Sequence, residues 1–321
     1  MIEYVLFVLG LVLLVKGAGY LVEGSSSLAK RWGVSSLVIG LSIVSFGTSM
    51  PELFVNVFAA LNGNTEIAFG NIIGSNLSNI LLVLGLTAAI YPLRIQKSTV
   101  WREIPFGIFS VLILFVVANN FLFDDGNTAL LSKFDGLILL LFFVVFVIYL
   151  FQATKSRRGF VGKRKIDVKD RGYGLVILMI LAGIFGLYFG GKWVVEGAVL
   201  IAGKFGFSEF LISATVIAIG TSLPELVTSI VAAMRKNVDL AVGNIVGSNI
   251  LNILWILGVT ALISDVSIPG FINFDLMFLV FASVMLFSLI VIKKPYDLNR
   301  KEGIFLLFLY AVYIVFIVIR G

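Results

Sequence analysis

Residues 22–90 of this chain return, without a gap, 173 positions later as residues 195–263. VEG at 22–24 meets VEG at 195–197, GTSMPEL at 47–53 meets GTSLPEL at 220–226, and GNIIGSNLSN at 70–79 meets GNIVGSNILN at 243–252. Shared apolar composition does not produce such a register, because polar residues carry it. The chain is an internal duplication. Whatever it folds into is built from two copies of one unit.

Composition decides the solvent of those copies. Hydrophobic residues make up 60% of the chain and charged residues 13%, where a soluble domain carries about a quarter charged. This is an integral membrane protein. There are 0 cysteines and 0 histidines, so disulfide and thiolate chemistry are absent, and so are the usual metal ligand and the commonest general base. Enzymes built on zinc or a nucleophile triad are therefore disfavoured, and no cofactor is implied.

Apolar runs long enough to cross about 30 Å of hydrocarbon fall at 3–24, 36–61, 66–91, 104–123, 136–151, 175–195, 210–234, 239–263, 276–292 and 303–319. The expected fold is all-α, with ten transmembrane helices. The opening MIEYVLFVLG has an acidic rather than a basic head and no small-residue cleavage site, so the first run reads as a retained helix rather than a signal. Each copy holds five runs, an odd number, which turns the second copy upside down. The boundaries are 1–152 for the first repeat, 153–172 for a basic loop and 173–321 for the inverted second repeat. Inverted repeats with interrupted helices are the architecture of secondary transporters, with the binding site near the midplane.

Basic residues orient the bundle. Alternate loops hold 19 of the 24 Lys and Arg, eight of them between Lys155 and Arg171, while loops 62–65 and 264–275 hold none. Lys and Arg remain on the cytoplasmic side of short loops, so both termini are expected outside a cell membrane crossed many times. The net charge of +6 is then mainly an orientation signal; a nucleic-acid or lipid-binding role for the basic run TKSRRGFVGKRKIDVKDR is the lesser alternative, and beyond the lipid bilayer no protein partner is evident.

GTSMPEL and GTSLPEL place a proline and a carboxylate inside apolar runs. Pro51 and Pro224 lack a backbone donor and free a carbonyl about one turn earlier, near Gly47 and Gly220, so these helices should kink or break. Within a turn lie the hydroxyls of Thr48, Ser49, Thr221 and Ser222 and the carboxylates of Glu52 and Glu225. Carbonyl, hydroxyl and carboxylate oxygens are the ligands of a hard cation such as Ca²⁺, and no nitrogen or sulfur ligand competes. In GNIIGSNLSN and GNIVGSNILN, Ser75 and Asn79, and likewise Ser248 and Asn252, stand at i, i+4 on one helical face and read as ligands or near-ligands. Asn71 and Asn244 read as clamps on the broken turns. The plainer alternative, that small residues merely let helices pack closely, accounts for GNIIGSN alone. It leaves the two glutamates unexplained, since a charge at the bilayer centre costs about 3 kcal/mol.

The paired GTSxPE words, each followed by GNxxGSN, resemble the α-repeats of the cation/Ca²⁺ exchanger superfamily, in particular its prokaryotic sodium/calcium exchanger branch. The resemblance covers nearly the whole chain. It implies four cation sites between the second, third, seventh and eighth helices. The matching ligands are the backbone at Ser45 and Ala218 together with Thr48, Ser49, Glu52, Ser75, Asn79, Thr221, Ser222, Glu225 and Ser248. It also implies that the long first and sixth helices slide across this core. Where certain relatives carry an aspartate in the second repeat this chain has Asn252, which leaves two carboxylates in the site.

Two glutamates in one dehydrated pocket do not both stay ionised without counter-charge. Ca²⁺ neutralises the pair, and so do Na⁺ ions or protons, but not both sets at once. That favours obligatory antiport: Na⁺-driven Ca²⁺ export first, a proton-driven exchanger on the same scaffold second, and a channel or non-transporting scaffold last. The ions are cargo. Glu23 and Glu196 recur with the repeat without an assigned role, Lys16 is expected to snorkel, Glu66 and Asp239 favour helix starts, and Asp124, Asp125 and Asp135 are expected to be solvated in an outer loop.

Overall fold

The computed structural model describes residues 2–63, 65–119, 130–156, 171–204, 218–268, 272–292 and 296–320. Part of the expected seventh span (210–217), most of the basic loop, Asp124 and Asp125 lie outside them. The described chain is helical apart from two short ladders. Its elements are α1 (Ile2–Trp32), α2 (Ser36–Thr48), α3 (Met50–Leu61), α4 (Thr65–Ile90), β1 (Leu93–Arg94), α5 (Thr99–Ala118), β2 (Leu130–Leu131) and α6 (Lys133–Ser156). They continue with α7 (Tyr173–Lys204), α8 (Ala218–Thr221), α9 (Leu223–Met234), α10 (Val238–Ile263), β3 (Val266–Ser267), α11 (Ile272–Ile292), β4 (Asp297–Leu298) and α12 (Arg300–Arg320).

Among the described residues, 8 helices are long and apolar enough to cross a membrane. In addition, α2 and α3 form a pair bent by 47°, and α9 is a shorter apolar helix. This is a multi-pass, all-helical membrane protein. Two helices are central: α4 and α10 are 78% buried over their apolar windows, against 28–39% for the other spans. These two carry the GNxxGSN words, and the rest of the bundle presents its apolar side chains outward, as a lipid-facing surface should.

Close helix approach depends on glycine. A Cβ on Gly183 of α7 would lie 2.7 Å from the Leu21 nitrogen of α1, and one on Gly17 would lie 2.9 Å from the Leu187 nitrogen. The two long helices therefore touch backbone to backbone. At the centre, a Cβ on Gly243 of α10 would stand 2.6 Å from the Leu37 carbonyl oxygen, and one on Gly40 of α2 would stand 2.7 Å from that of Leu240. Small residues at such crossings are how helices associate where no hydrophobic drive exists between them.

The ladders tie the copies together at the bundle ends. Leu93 pairs antiparallel with Leu298 and Arg94 with Asp297, while Leu130 pairs with Ser267 and Leu131 with Val266. In each ladder the strand after the third span of one copy meets the strand before the last span of the other. Asp135 departs from expectation. It is 5% exposed, and its Oδ2 accepts hydrogen bonds from the Ser132 backbone N–H (2.8 Å) and hydroxyl (2.7 Å), capping the start of α6 instead of facing solvent.

Candidate cation site

The break in each GTSxPE helix falls two residues before its proline. Ser49 (φ −84°, ψ 9°) separates α2 from α3, and Ser222 (φ −85°, ψ 3°) separates α8 from α9. Each proline then sits in the first turn of the new helix, where a missing N–H is harmless, and Glu52 and Glu225 occupy the first turn as well. An acid there faces the positive end of the helix dipole. The glycines serve packing more than flexibility. A Cβ on Gly47 would come within 2.8 Å of Ile184 Cγ1, and one on Gly220 within 2.2 Å of Val195 Cγ2, both on α7.

Glu52 and Glu225 are both fully buried. Around Glu225 the hydroxyls close in from both copies. Ser49 Oγ donates to Glu225 Oε1 at 2.9 Å, and Ser248 Oγ donates to the same oxygen at 3.3 Å. Thr48 Oγ1 donates to Asn244 Oδ1 at 3.0 Å and lies 3.5 Å from Ser248 Oγ. The carbonyl of Ser45 accepts the Ser49 N–H at 3.0 Å and the Thr48 hydroxyl at 3.4 Å. Ala218 opens α8 and the half-buried Thr221 ends it.

The other half is unmet. Both oxygens of Glu52, Ser75 Oγ, Ser222 Oγ, Glu225 Oε2 and the amide atoms of Asn79 and Asn252 are buried without a hydrogen-bond partner among the described residues. Such atoms are rare in native structures, and each calls for an explanation such as an ion or water. Buried oxygens gathered around two carboxylates, with no imidazole or thiolate, fit a hard cation.

Sequence reasoning missed two features. Asn79 and Asn252 do not sit on plain α-helix: π-helical turns run over Ser78–Val83 and Asn252–Leu257. Turns of this kind cluster at functional sites because they re-aim side chains. The turn carrying Asn79 packs on α9, the helix of Glu225, and the turn carrying Asn252 packs on α3, the helix of Glu52. The second feature is the partner of each clamp. Asn71 Nδ2 donates to Asn56 Oδ1 at 2.8 Å, and Asn244 Nδ2 donates to Ser229 Oγ at 3.0 Å and, more weakly, to the Glu225 carbonyl at 3.5 Å. Asn56 and Ser229 are equivalent under the 173-residue shift, one turn past each glutamate. A polar residue at both positions was the available signal.

A multi-pass helical bundle with broken helices and a buried pair of carboxylates at its centre has the architecture of a membrane transporter of cations. The chain belongs to the family described as "Sodium/calcium exchanger protein", whose sequence profile matches residues 2–152 and 175–319. It is 36% identical over 323 residues to the putative antiporter CaxA of Alkalimonas amylolytica, covering 98% of each chain. To the sodium/calcium exchanger MaX1 of Methanosarcina acetivorans it is 30% identical over 353 residues, again 98% of each. More distantly, it is 24% identical over 322 residues to the Ca(2+)/H(+) antiporter ChaA of Bacillus subtilis, covering 96% of this chain and 90% of that one. Its fold matches the solved structure of the sodium-calcium exchanger NCX_Mj with a TM-score of 0.80 and 32% identity over 98% of both chains.

Proposed function

We propose that this protein is a secondary antiporter that moves Ca²⁺ outward against inward Na⁺ by alternating access, with ten helices arranged as two inverted five-helix repeats. The observation that carries the reading is the unmet oxygen cluster around Glu52 and Glu225 at the centre of the bundle. The cation ligands are the carboxylates of Glu52 and Glu225, the hydroxyls of Thr48, Ser49, Ser75, Thr221, Ser222 and Ser248, the amide oxygens of Asn79 and Asn252, and the carbonyls of Ser45 and Ala218. The symmetric ladders support the inverted arrangement, and the basic loops support termini outside the cell.

Exchange follows from charge. An empty pair of buried carboxylates is costly to carry through an apolar barrier, so the core changes face when cations neutralise it. The two cargo sets compete for the same oxygens, which makes transport of one depend on return of the other. The likeness to MaX1 favours Na⁺ as the counter-ion, while that to ChaA keeps a proton-coupled cycle as the second reading. Uptake of ⁴⁵Ca²⁺ into proteoliposomes loaded in turn with Na⁺, K⁺ or acid separates the two. Uptake driven by internal Na⁺ alone supports Na⁺ exchange, uptake driven by internal acid supports the proton cycle, and flux without any counter-ion overturns antiport.

A further inference from the structure

Glu23, on α1, reaches two arginines from different parts of the bundle. Its Oε1 accepts from Arg171, just ahead of α7, and its Oε2 lies 3.6 Å from Arg235 Nη1 at the end of α9. One turn further along α1, Asn237 Nδ2 donates to the buried hydroxyl of Ser26 at 3.0 Å. One turn earlier, a Cβ on Gly19 would stand 3.2 Å from Arg235 Nη2, so glycine there makes room for the guanidinium. The turn between α9 and α10 thus grips one face of α1 over Gly19, Glu23 and Ser26.

Among the described residues the grip is seen in one copy only. Under the 173-residue shift Glu23 becomes Glu196, but Arg235 becomes Asn62 and Ser26 becomes Val199. Glu196 faces Lys192 of its own helix at 3.8 Å, and both side chains are more than half exposed. Two repeats that share their central words therefore differ in how the long helices are fastened at the rim.

We infer that Glu23, Arg235, Ser26 and Asn237 form a one-sided clasp that holds the α1–α7 pair on the core at the end of α9 and must open for the site to be reached from that side. This rests on the alternating-access reading above. Arg235 lies ten residues past Glu225 on one helix, about 15 Å along its axis, so the clasp guards the rim and not the ligands. Arg171, joined to α7, keeps its bond to Glu23 when the long helices move together. The Arg235 and Asn237 contacts are the ones that break. Because the ion pairs are partly exposed they are weak, which suits a contact that opens every cycle.

The chain has no cysteine, so introduced thiols report without background. In the double variant Ser26→Cys, Asn237→Cys, oxidation should stop Ca²⁺ exchange in proteoliposomes and reductant should restore it. In a second background, Val22→Cys places a thiol at a site that is 1% exposed beside the clasp. Adding Glu23→Gln should speed its maleimide labelling by about threefold, the effect of losing a weak ion pair, and adding Lys192→Gln should leave it unchanged. Full exchange by the oxidised, cross-linked protein overturns the clasp, as does equal labelling with and without Glu23→Gln. If the unmodified protein exchanges no Ca²⁺ at all, the transport reading falls instead, and the labelling still decides the clasp.

Discussion

Ser49 Oγ donates a 2.9 Å hydrogen bond to Glu225 Oε1 across the boundary between the two copies. The equivalent pair, Ser222 and Glu52, makes no such bond: Ser222 Oγ and both Glu52 oxygens are buried and have no hydrogen-bond partner among the described residues. The two copies of the duplicated site therefore differ in how their carboxylates are bonded among the described residues.

That difference makes the two carboxylates separable by stability although both should be essential to transport. Glu52→Gln and Glu225→Gln should each abolish Ca²⁺ exchange in proteoliposomes while leaving a folded, inserted protein, because the amide keeps the volume and loses the charge. In ion-free detergent, Glu52→Gln should raise the thermal midpoint, since it removes a buried acid that has no hydrogen-bond partner among the described residues. Glu225→Gln should leave it level or lower, since two hydroxyl bonds to a carboxylate are weakened. The gap expected between the variants is about 1–3 kcal/mol. Near-normal exchange in either variant would remove that residue from the site.

The two asparagines differ in what a change would add. Asn79→Ala should weaken Ca²⁺ binding by removing an oxygen ligand, read as a higher half-saturating Ca²⁺ concentration. Asn252→Asp should retain exchange and shift its pH dependence from the parent's, because it places a third titratable carboxyl among the cations. A pH profile identical to the parent's would mean that residue 252 does not face the ions.

Packing at the centre is testable without any flux. Gly243→Ala would push a methyl group to 2.6 Å from the Leu37 carbonyl oxygen and 3.1 Å from the Gly40 Cα. Both are backbone atoms at a helix crossing and have no rotamer to yield. The variant should lose about 1–3 kcal/mol of stability, seen as a lower unfolding midpoint.

Charge movement tests the coupling ion. Ca²⁺ on two glutamates sums to zero and three Na⁺ on the same pair sum to plus one, so a three-for-one cycle moves one net charge. A membrane potential acts on that charge with about 2.3 kcal/mol per 100 mV, close to a fiftyfold shift in the Ca²⁺ ratio at balance. A valinomycin K⁺ potential, positive inside Na⁺-loaded vesicles, should accelerate Ca²⁺ uptake. Na⁺-dependent uptake that ignores the clamp would mean an electroneutral two-for-one cycle.

The sequence alone determined the environment, the duplication and the carboxylates. Composition sets the solvent for every residue at once, and polar words that recur at a fixed offset survive any packing. It also placed the helix breaks correctly to within two residues, because proline acts through its own backbone. Tertiary structure decided what depends on atoms far apart in the chain. Gly47 and Gly220 make room for α7, Asn71 and Asn244 find Asn56 and Ser229, and π-helical turns carry Asn79 and Asn252 onto the opposite copy's broken helix. Glu23, which had no assigned role as a sequence feature, acquires one from two arginines 148 and 212 positions away. Above all, two copies that read nearly alike do not stand alike. Hydroxyls from both copies close on Glu225, while Glu52 has no such bond among the described residues, because these contacts join residues far apart in the chain and the repeat does not encode them.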